Sequence, residues 1–419
     1  MFDNLLYQPA GAQLASDLTN NILPGAMLFS GSASSGKLTC ALELARILSC
    51  TGQVKGHWMC ECPSCLKHKA LSSTSLLIAG PRSCVLEISA AIKTFLDAVS
   101  SNARHINASR YLFIRSIRKL TMRFSSVLWE GDDKASKISS ILSDIDEYLE
   151  EIDPSRPLPE YERLEKICKV IYPLCAKLEG DFMYDSIPIA QIRRASSWAH
   201  YRSEAGKKMM IIENADRMQE SVRNALLKIL EEPPEDVVFV LTTSRRNAVM
   251  PTILSRVRTY NFVERTEEAQ SEVIRRVFHA DNYSNIDLFL QSYLPVSPEI
   301  CTSAGKEFID SILRGQTPDI DLLIKNCGKF EPRILLNIFL NGITEYLRDA
   351  ALEKSSHAQG ETEQFTRLRF GELAAEGMRA VHDCVNHVNV FNQSITSALE
   401  LLASDLSLAF RKYGVEPSV

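Results

Sequence analysis

The 419-residue sequence predicts an α/β domain on a parallel sheet, carrying a cysteine knuckle and a helical insertion, followed by all-α segments. Three observations predict it. A glycine-rich loop joins an apolar, strand-like run to a helix-forming run. Two more apolar runs, at 209–212 and 237–243, stop at polar groups and have helical sequence between them. Beyond Glu264 only helical spacing remains.

Composition sets the outer limits. At roughly 100–200 residues per domain, the length allows two to four domains. Hydrophobic residues at 45% and charged residues at 24% suit a folded globular chain rather than a disordered one. A formal net charge of -5 excludes a uniformly basic nucleic-acid binder, so any contact with DNA phosphates must be local. The sequence has no apolar run of spanning length, and its N-terminus lacks the basic flank and apolar stretch of a signal peptide. The expectation is a cytoplasmic protein without membrane contact. Its 11 cysteines then read as thiols or metal ligands rather than disulfides.

The first chemical motif begins after the buried strand Ala26–Phe29, at Gly31-Ser32-Ala33-Ser34-Ser35-Gly36-Lys37-Leu38-Thr39, and leads into the helix former Ala41–Leu48. Glycines let backbone N–H groups curl around phosphates, the helix N-terminus adds positive potential, and Lys37 reaches the outer phosphates. Gly31, Ser35, Gly36, Lys37, Leu38 and Thr39 are the candidate nucleotide-loop residues. The pattern requires a hydroxyl directly after the lysine to bind magnesium, and that position holds Leu38. Thr39 is rotated by about 100° on the helix and does not substitute.

Cys50, Cys60, Cys62 and Cys65 follow within sixteen residues, a spacing suited to tetrahedral thiolate zinc, although the Cys60–Cys62 gap is tight. His57 is an alternative fourth ligand, and four reduced structural thiols are the plain alternative.

A third motif closes the strand Met209–Ile212 with Glu213-Asn214. An acid at this Walker B position helps to hold magnesium, and the next acid polarises water. Glu213 fits the first role. Asn214, an amide, cannot accept the proton, so hydrolysis by this chain should be weak or absent. Asp216 is expected to cap the following helix. That helix, Ser221–Glu232, stops at Pro233-Pro234, and the buried strand Val237–Thr243 precedes Pro251-Thr252-Ile253-Leu254-Ser255-Arg256.

The wording NALLKILEEPP, then TTS, then PTILSR, with a four-cysteine knuckle after the loop helix, resembles the clamp-loader AAA+ family, the gamma/tau and delta-prime subunits of bacterial DNA polymerase III. The resemblance covers residues 1–82 and about 186–264, and is weaker toward the C-terminus. It implies an AAA+ P-loop domain (1–264) with a zinc knuckle (50–65), then a helical lid (265–329) and a helical collar (330–419) that joins a hetero-pentameric ring with gamma/tau and delta subunits. The sliding clamp and primed DNA, held by its backbone, are the implied further partners. It implies Thr242 or Thr243 as the polar sensor and Arg256 as an arginine finger acting on a neighbour's ATP. Val257 stands where the family has cysteine. Leu38 and Asn214 place the chain with delta-prime, a stator with degraded nucleotide chemistry, binding ATP or ADP at most. An active gamma/tau-like ATPase, or another AAA+ ATPase, is the competing reading. Arg256 as a plain surface ion pair is the alternative to the finger.

Between the knuckle and Ile187 lies a stretch of about a hundred residues that the family spans more briefly. Leu86–Val99, Tyr111–Trp129, Ile138–Ile152 and Tyr161–Leu178 predict a helical insertion at about 83–185. Arg104, Arg110, Arg115, Arg118, Lys119 and Arg123 occur there with no acid between Asp97 and Glu130. They read either as a face for DNA phosphates or as a solvated face neutralised by Asp144, Asp146, Glu147, Glu150 and Glu151. Further on, Pro298, Pro318 and Pro332 mark helix starts. Asn389–Leu402 is similar to the family's last collar helices, and Arg333 is a candidate second sensor.

Overall fold

Helix α1 (Pro9–Thr19) precedes strand β1 (Ala26–Ser30), and the glycine loop then enters α2 (Lys37–Ser49). The computed structural model describes residues 1–184, 186–201, 206–357, 361–389 and 393–413. After α2 come the short helix α3 (Pro63–Lys69), strand β2 (Leu76–Ala79) and the insertion: α4 (Val85–Ser100), α5 (Ile106–Thr121), α6 (Ser126–Trp129), α7 (Ala135–Glu151) and α8 (Tyr161–Lys177). Next are α9 (Ile189–His200), β3 (Lys208–Ile212), α10 (Glu220–Glu231), β4 (Val237–Thr243), α11 (Pro251–Leu254), β5 (Arg258–Asn261), α12 (Glu267–Phe278) and α13 (Ile286–Gln291). The strands form one parallel sheet in the order β2-β3-β4-β1-β5.

Alternation along the strands divides the core. Met27, Phe29, Ile78, Ile211 and Val240 face α1 and α2, where Leu14, Leu38, Leu42 and Ile47 meet them. Ala26, Leu28, Ala79, Met210, Ile212, Phe239 and Leu241 face the other way. That second core runs without a break into the insertion through Phe95, Phe113, Ile117, Leu120, Phe124, Ile145, Leu164 and Ile171. The insertion is therefore a layer of the domain rather than a separate bundle, because its apolar stripes have the sheet face to bury against.

The predicted helix Tyr111–Trp129 is corrected in its bounds. It starts at Ile106, passes through a 3-10 turn at Met122–Phe124 and breaks at Ser125, whose φ of -50° and ψ of 136° leave the helical region. The Trp129 indole N–H donates to the Arg123 carbonyl at 2.8 Å, and so supplies a partner where the helix stops.

Residues Met1–Tyr293 form one compact unit and Leu294–Val419 a second. Within the first, α12 and α13 pack Ile274, Ile286 and Phe289 on Ala90 of α4. The second unit holds α14 (Pro298–Leu313), α15 (Ile320–Asn326), α16 (Ile334–His357), α17 (Glu361–Asn389) and α18 (Ile395–Lys412). Its core includes Phe308, Phe330, Phe339, Ile343, Leu399 and Leu406. Helices α14 and α16 cross closely: a Cβ at Gly305 would lie 2.4 Å from the Phe339 carbonyl oxygen, and one at Gly342 2.5 Å from that of Thr302. Pro298 opens its helix as expected, whereas α15 and α16 begin two residues after Pro318 and Pro332. The α15 N-terminus is capped by Asp319, which accepts from the Leu322 N–H at 2.9 Å. Residues 358–360, 390–392 and 414–419 of the expected collar lie outside the described residues.

Candidate functional site

The parallel register brings the ends of β1, β3 and β4 to one edge of the sheet, with Ser30 beside Thr243 and Ile212 beside Leu241. That edge carries the glycine loop, Glu213-Asn214 and the two threonines, which is the usual place for a ligand on an open α/β sheet. Gly36 has φ +95°, a left-handed conformation open to glycine, and Lys37 starts the helix directly after it.

The half-buried Lys37 ammonium donates to the carbonyls of Gly31 at 2.7 Å and Ser32 at 2.5 Å. Burial, opposed by Glu213 and reinforced by Arg82, lowers its pKa to about 8. Ser35 is buried and donates to the Ser32 carbonyl at 2.8 Å. Leu38 is 5% exposed and belongs to the core on the α1–α2 side of the sheet. Arg265 crosses over the loop and donates to the Ser34 carbonyl at 2.5 Å and the Leu6 carbonyl at 3.2 Å.

Glu213 is 5% exposed and both of its carboxylate oxygens are taken. Arg82 donates through Nη1 to Oε1 at 3.1 Å, and Arg123 pairs with Oε2 through Nη2. Arg123 is 4% exposed and also donates to the Gly80 carbonyl at 3.1 Å. Asn214 has φ 56° and ψ 51°, and its amide donates to the Pro81 carbonyl at 2.6 Å. Thr242 accepts from the Asn214 backbone N–H at 3.4 Å, and Thr243 donates to Asp216 at 2.7 Å. Asp216 also pairs with Arg245 at 3.0 Å, so it does not cap α10 as the sequence suggested; Gln219 occupies that cap position.

Most of the insertion's basic residues turn to partners within the fold. Arg115, Lys119 and Arg123 recur every four residues and form one stripe of α5 extended into the following turn. Arg115 donates to the carbonyls of His68 and Lys69 at the end of α3, at 3.1 and 2.8 Å, and Lys119 pairs with Glu87. Arg110 donates to the carbonyls of Ile152, Asp153 and Arg156, and Arg118 pairs with Asp146 at 2.5 Å. Of the six cations only Arg104 is exposed without a partner of this kind among the described residues. Arg110 and Arg123, both buried, belong to neither a DNA face nor a solvated face. Arg115 and Arg123 pin the insertion to the rest of the domain, whereas Arg110, Arg118 and Lys119 tie its helices to one another, Arg118–Asp146 being the one pair drawn from the acids expected to neutralise it.

In the knuckle, the sulfurs of Cys50, Cys60, Cys62 and Cys65 lie within 4.8 Å of one another, and Cys50 and Cys60 are 3.7 Å apart. Zn–S bonds of about 2.3 Å place tetrahedral sulfurs roughly 3.8 Å apart, so the four fit one ion. His57 is outside this group, and its Nδ1 accepts from the Met59 N–H. Sequence reading missed Arg46. Buried and paired with Glu43 at 2.6 Å, it donates to Cys65 Sγ at 3.1 Å and to the carbonyls of Gly56 and His57. Gly52 is required where it stands, since a Cβ there would lie 2.6 Å from Cys60 Sγ.

Arg256 follows α11 and is partly exposed, pairing with Glu231 at 3.2 Å and donating to the Thr252 carbonyl at 2.9 Å. Val257, which stands at the family's cysteine position, is nearly buried.

With the loop, the Walker B strand end, the knuckle and Arg256 on one domain, comparison with known proteins becomes decisive. The profile of the family described as DNA polymerase III, delta subunit matches residues 8–266. The chain belongs to that family. The delta' subunit of Bacillus subtilis is 44% identical over 59 residues, 14% of this chain and 18% of that protein. The delta' subunit of Pseudomonas aeruginosa is 43% identical over 96 residues, 22% of this chain and 29% of that protein. The gamma/tau subunit of Mycobacterium bovis is 42% identical over 55 residues, 13% of this chain and 10% of that protein. The matched segments thus span less than a third of each relative's length. Among the described residues no helix is long and apolar enough to cross a membrane.

A buried carboxylate that loses one of its cations is left with a charge it cannot solvate, at a cost of roughly 3–5 kcal/mol. Arg123→Met is therefore expected to lower the unfolding free energy by about 3 kcal/mol in urea melts, reduced from the full range because Arg82 remains. The double variant Arg123→Met/Glu213→Met should recover more than half of that loss. Additive losses in this double-mutant cycle would mean that the pair contributes nothing.

Proposed function

We propose that the chain is a delta-prime-like subunit of a clamp loader, silent at its own nucleotide site and active through Arg256 at a neighbour's. The observation that carries this reading is the commitment of the whole nucleotide edge to internal partners. Glu213 is held by two arginines, Asn214 by a backbone carbonyl, Thr243 by Asp216, and a buried leucine stands at the magnesium hydroxyl position. Such a site lacks both the metal-binding group and the water-polarising acid that phosphoryl transfer uses. Arg256 differs: among the described residues its only carboxylate partner is the exposed Glu231, and an exposed ion pair of about 0–1 kcal/mol is readily exchanged for a phosphate.

In this reading residues 265–329 act as a lid and 330–419 as the collar of a ring shared with gamma/tau and delta subunits. The loader opens a sliding clamp on primed DNA, and ATP or ADP at this chain's own loop is bound rather than turned over. Cys50, Cys60, Cys62 and Cys65 would hold zinc as a structural ion, closing a loop that has little core of its own. Arg46 and Lys69 brace that loop through the Gly56, His57 and Cys60 carbonyls.

Two measurements test these assignments. Elemental analysis of chain purified without chelator should find about one zinc per molecule, falling to well under half in Cys62→Ser/Cys65→Ser; equal zinc in both would remove the site. A loader reconstituted with Arg256→Ala should assemble normally by gel filtration, yet lose part of its DNA-stimulated ATPase and more of its clamp loading. Removing a finger costs about 10³–10⁵ in rate at the one site it serves. Normal assembly with both activities unchanged would leave Arg256 a surface ion pair and the subunit a scaffold.

A further inference from the structure

A divalent ion does not fit the Walker B position of this chain. A working site gives the ion a hydroxyl after the loop lysine and an acid at the strand end. Here the first position is Leu38, packed in the core, and the second is Glu213, whose two oxygens are already occupied by separate guanidinium groups. The arginines are held firmly in place. Arg123 is almost fully buried and fixed by the Gly80 carbonyl as well as by Glu213. Arg82 reaches Glu213 from one side and Glu87 at 3.4 Å from the other, and Lys119 pairs with that same Glu87. The cluster thus sets Arg82, Arg123 and Lys119 against Glu213 and Glu87, with Lys37 close enough to feel both Glu213 and Arg82. The positive excess lies beside the glycine loop and is built from fixed groups. Two guanidinium groups on one carboxylate leave the same net charge that a divalent ion on that carboxylate would leave.

We propose that Arg82 and Arg123 take the place of the divalent ion, so that this loop holds the polyphosphate of a nucleoside diphosphate or triphosphate without metal. The proposal deepens the reading of a non-hydrolysing site and rests on it. Lys37 and the loop N–H groups receive the phosphates once the lysine exchanges its Gly31 and Ser32 carbonyls for phosphate oxygens. Arg82, the more exposed of the two arginines, supplies the nearby counter-charge, while Arg123 keeps Glu213 neutralised from below. Guanidinium suits this work because it stays charged at all working pH values and presents a planar fork to oxyanions. The insertion acquires a role by the same argument: through Arg123 it supplies part of the nucleotide site.

The test is a fluorescence titration of the full chain with an N-methylanthraniloyl derivative of ADP, in excess EDTA and in excess magnesium. Saturable binding is expected in both, with dissociation constants within about threefold of each other. Arg82→Ala keeps Arg123 on Glu213 and Lys119 on Glu87, so it should fold normally by circular dichroism. It should bind the probe about tenfold more weakly in EDTA, and magnesium should restore much of that loss. Arg82→Lys should fall between the two. The proposal is overturned by binding at least tenfold tighter with magnesium in the unaltered chain, by no saturable binding in EDTA, or by an Arg82→Ala variant indistinguishable from the parent. None of these outcomes bears on the reconstituted loader with Arg256→Ala, so the two readings fail separately.

Discussion

Glu213, buried between Arg82 and Arg123, is the interaction on which the rest of the molecule depends. It directly follows strand β3, yet it faces the insertion's cation instead of solvent. In a low-dielectric interior a carboxylate so placed must stay paired or take up a proton, and each arginine is similarly constrained by the acid. The nucleotide edge and the insertion are therefore tied together energetically. Leu38 in the core, Asn214 on the Pro81 carbonyl and the cations on Glu213 belong to one arrangement.

The same coupling runs along α5. Arg115 grips the carbonyl end of the knuckle helix, Lys119 grips Glu87 at the start of α4, and Arg123 reaches Glu213, so one basic stripe touches three parts of the domain. Beneath it, Phe113, Ile117, Leu120 and Phe124 share a core with Ala79, Met210 and Leu241 of the sheet. Burial of that apolar face supplies the main stabilisation, at about 25 cal/mol per Å². The charged stripe fixes the register of the helix on the sheet.

Much of this was legible in the sequence because it rests on local rules. The loop between Phe29 and Lys37, the strand Val237–Thr243 and the helix stopped by Pro233 all follow from periodicity and backbone chemistry. The cysteine cluster followed from spacing alone, and the structure gathers the four sulfurs. Strands β2 and β5 were not foreseen: four residues each, they are too short to show a period, and β5 reads as polar at Arg258 and Asn261. Arg123 was seen as part of a basic run but given the wrong surroundings, since its partner lies ninety residues away in sequence. A cue was present. Cations every four residues beside Phe113, Ile117 and Phe124, with no acid within reach on their own helix, must find their partners in the fold. Asp216 was misread for the same reason, as its partners Thr243 and Arg245 sit on the next strand and loop.

The central claim is that this nucleotide edge binds charge but does not turn ATP over, and steady-state hydrolysis by the isolated chain addresses it directly. With excess ATP and magnesium, the account predicts phosphate release no faster than from the same chain carrying Lys37→Ala. A turnover in the range of an ordinary enzyme, on the order of 1 per second or above and abolished by Lys37→Ala, would contradict it.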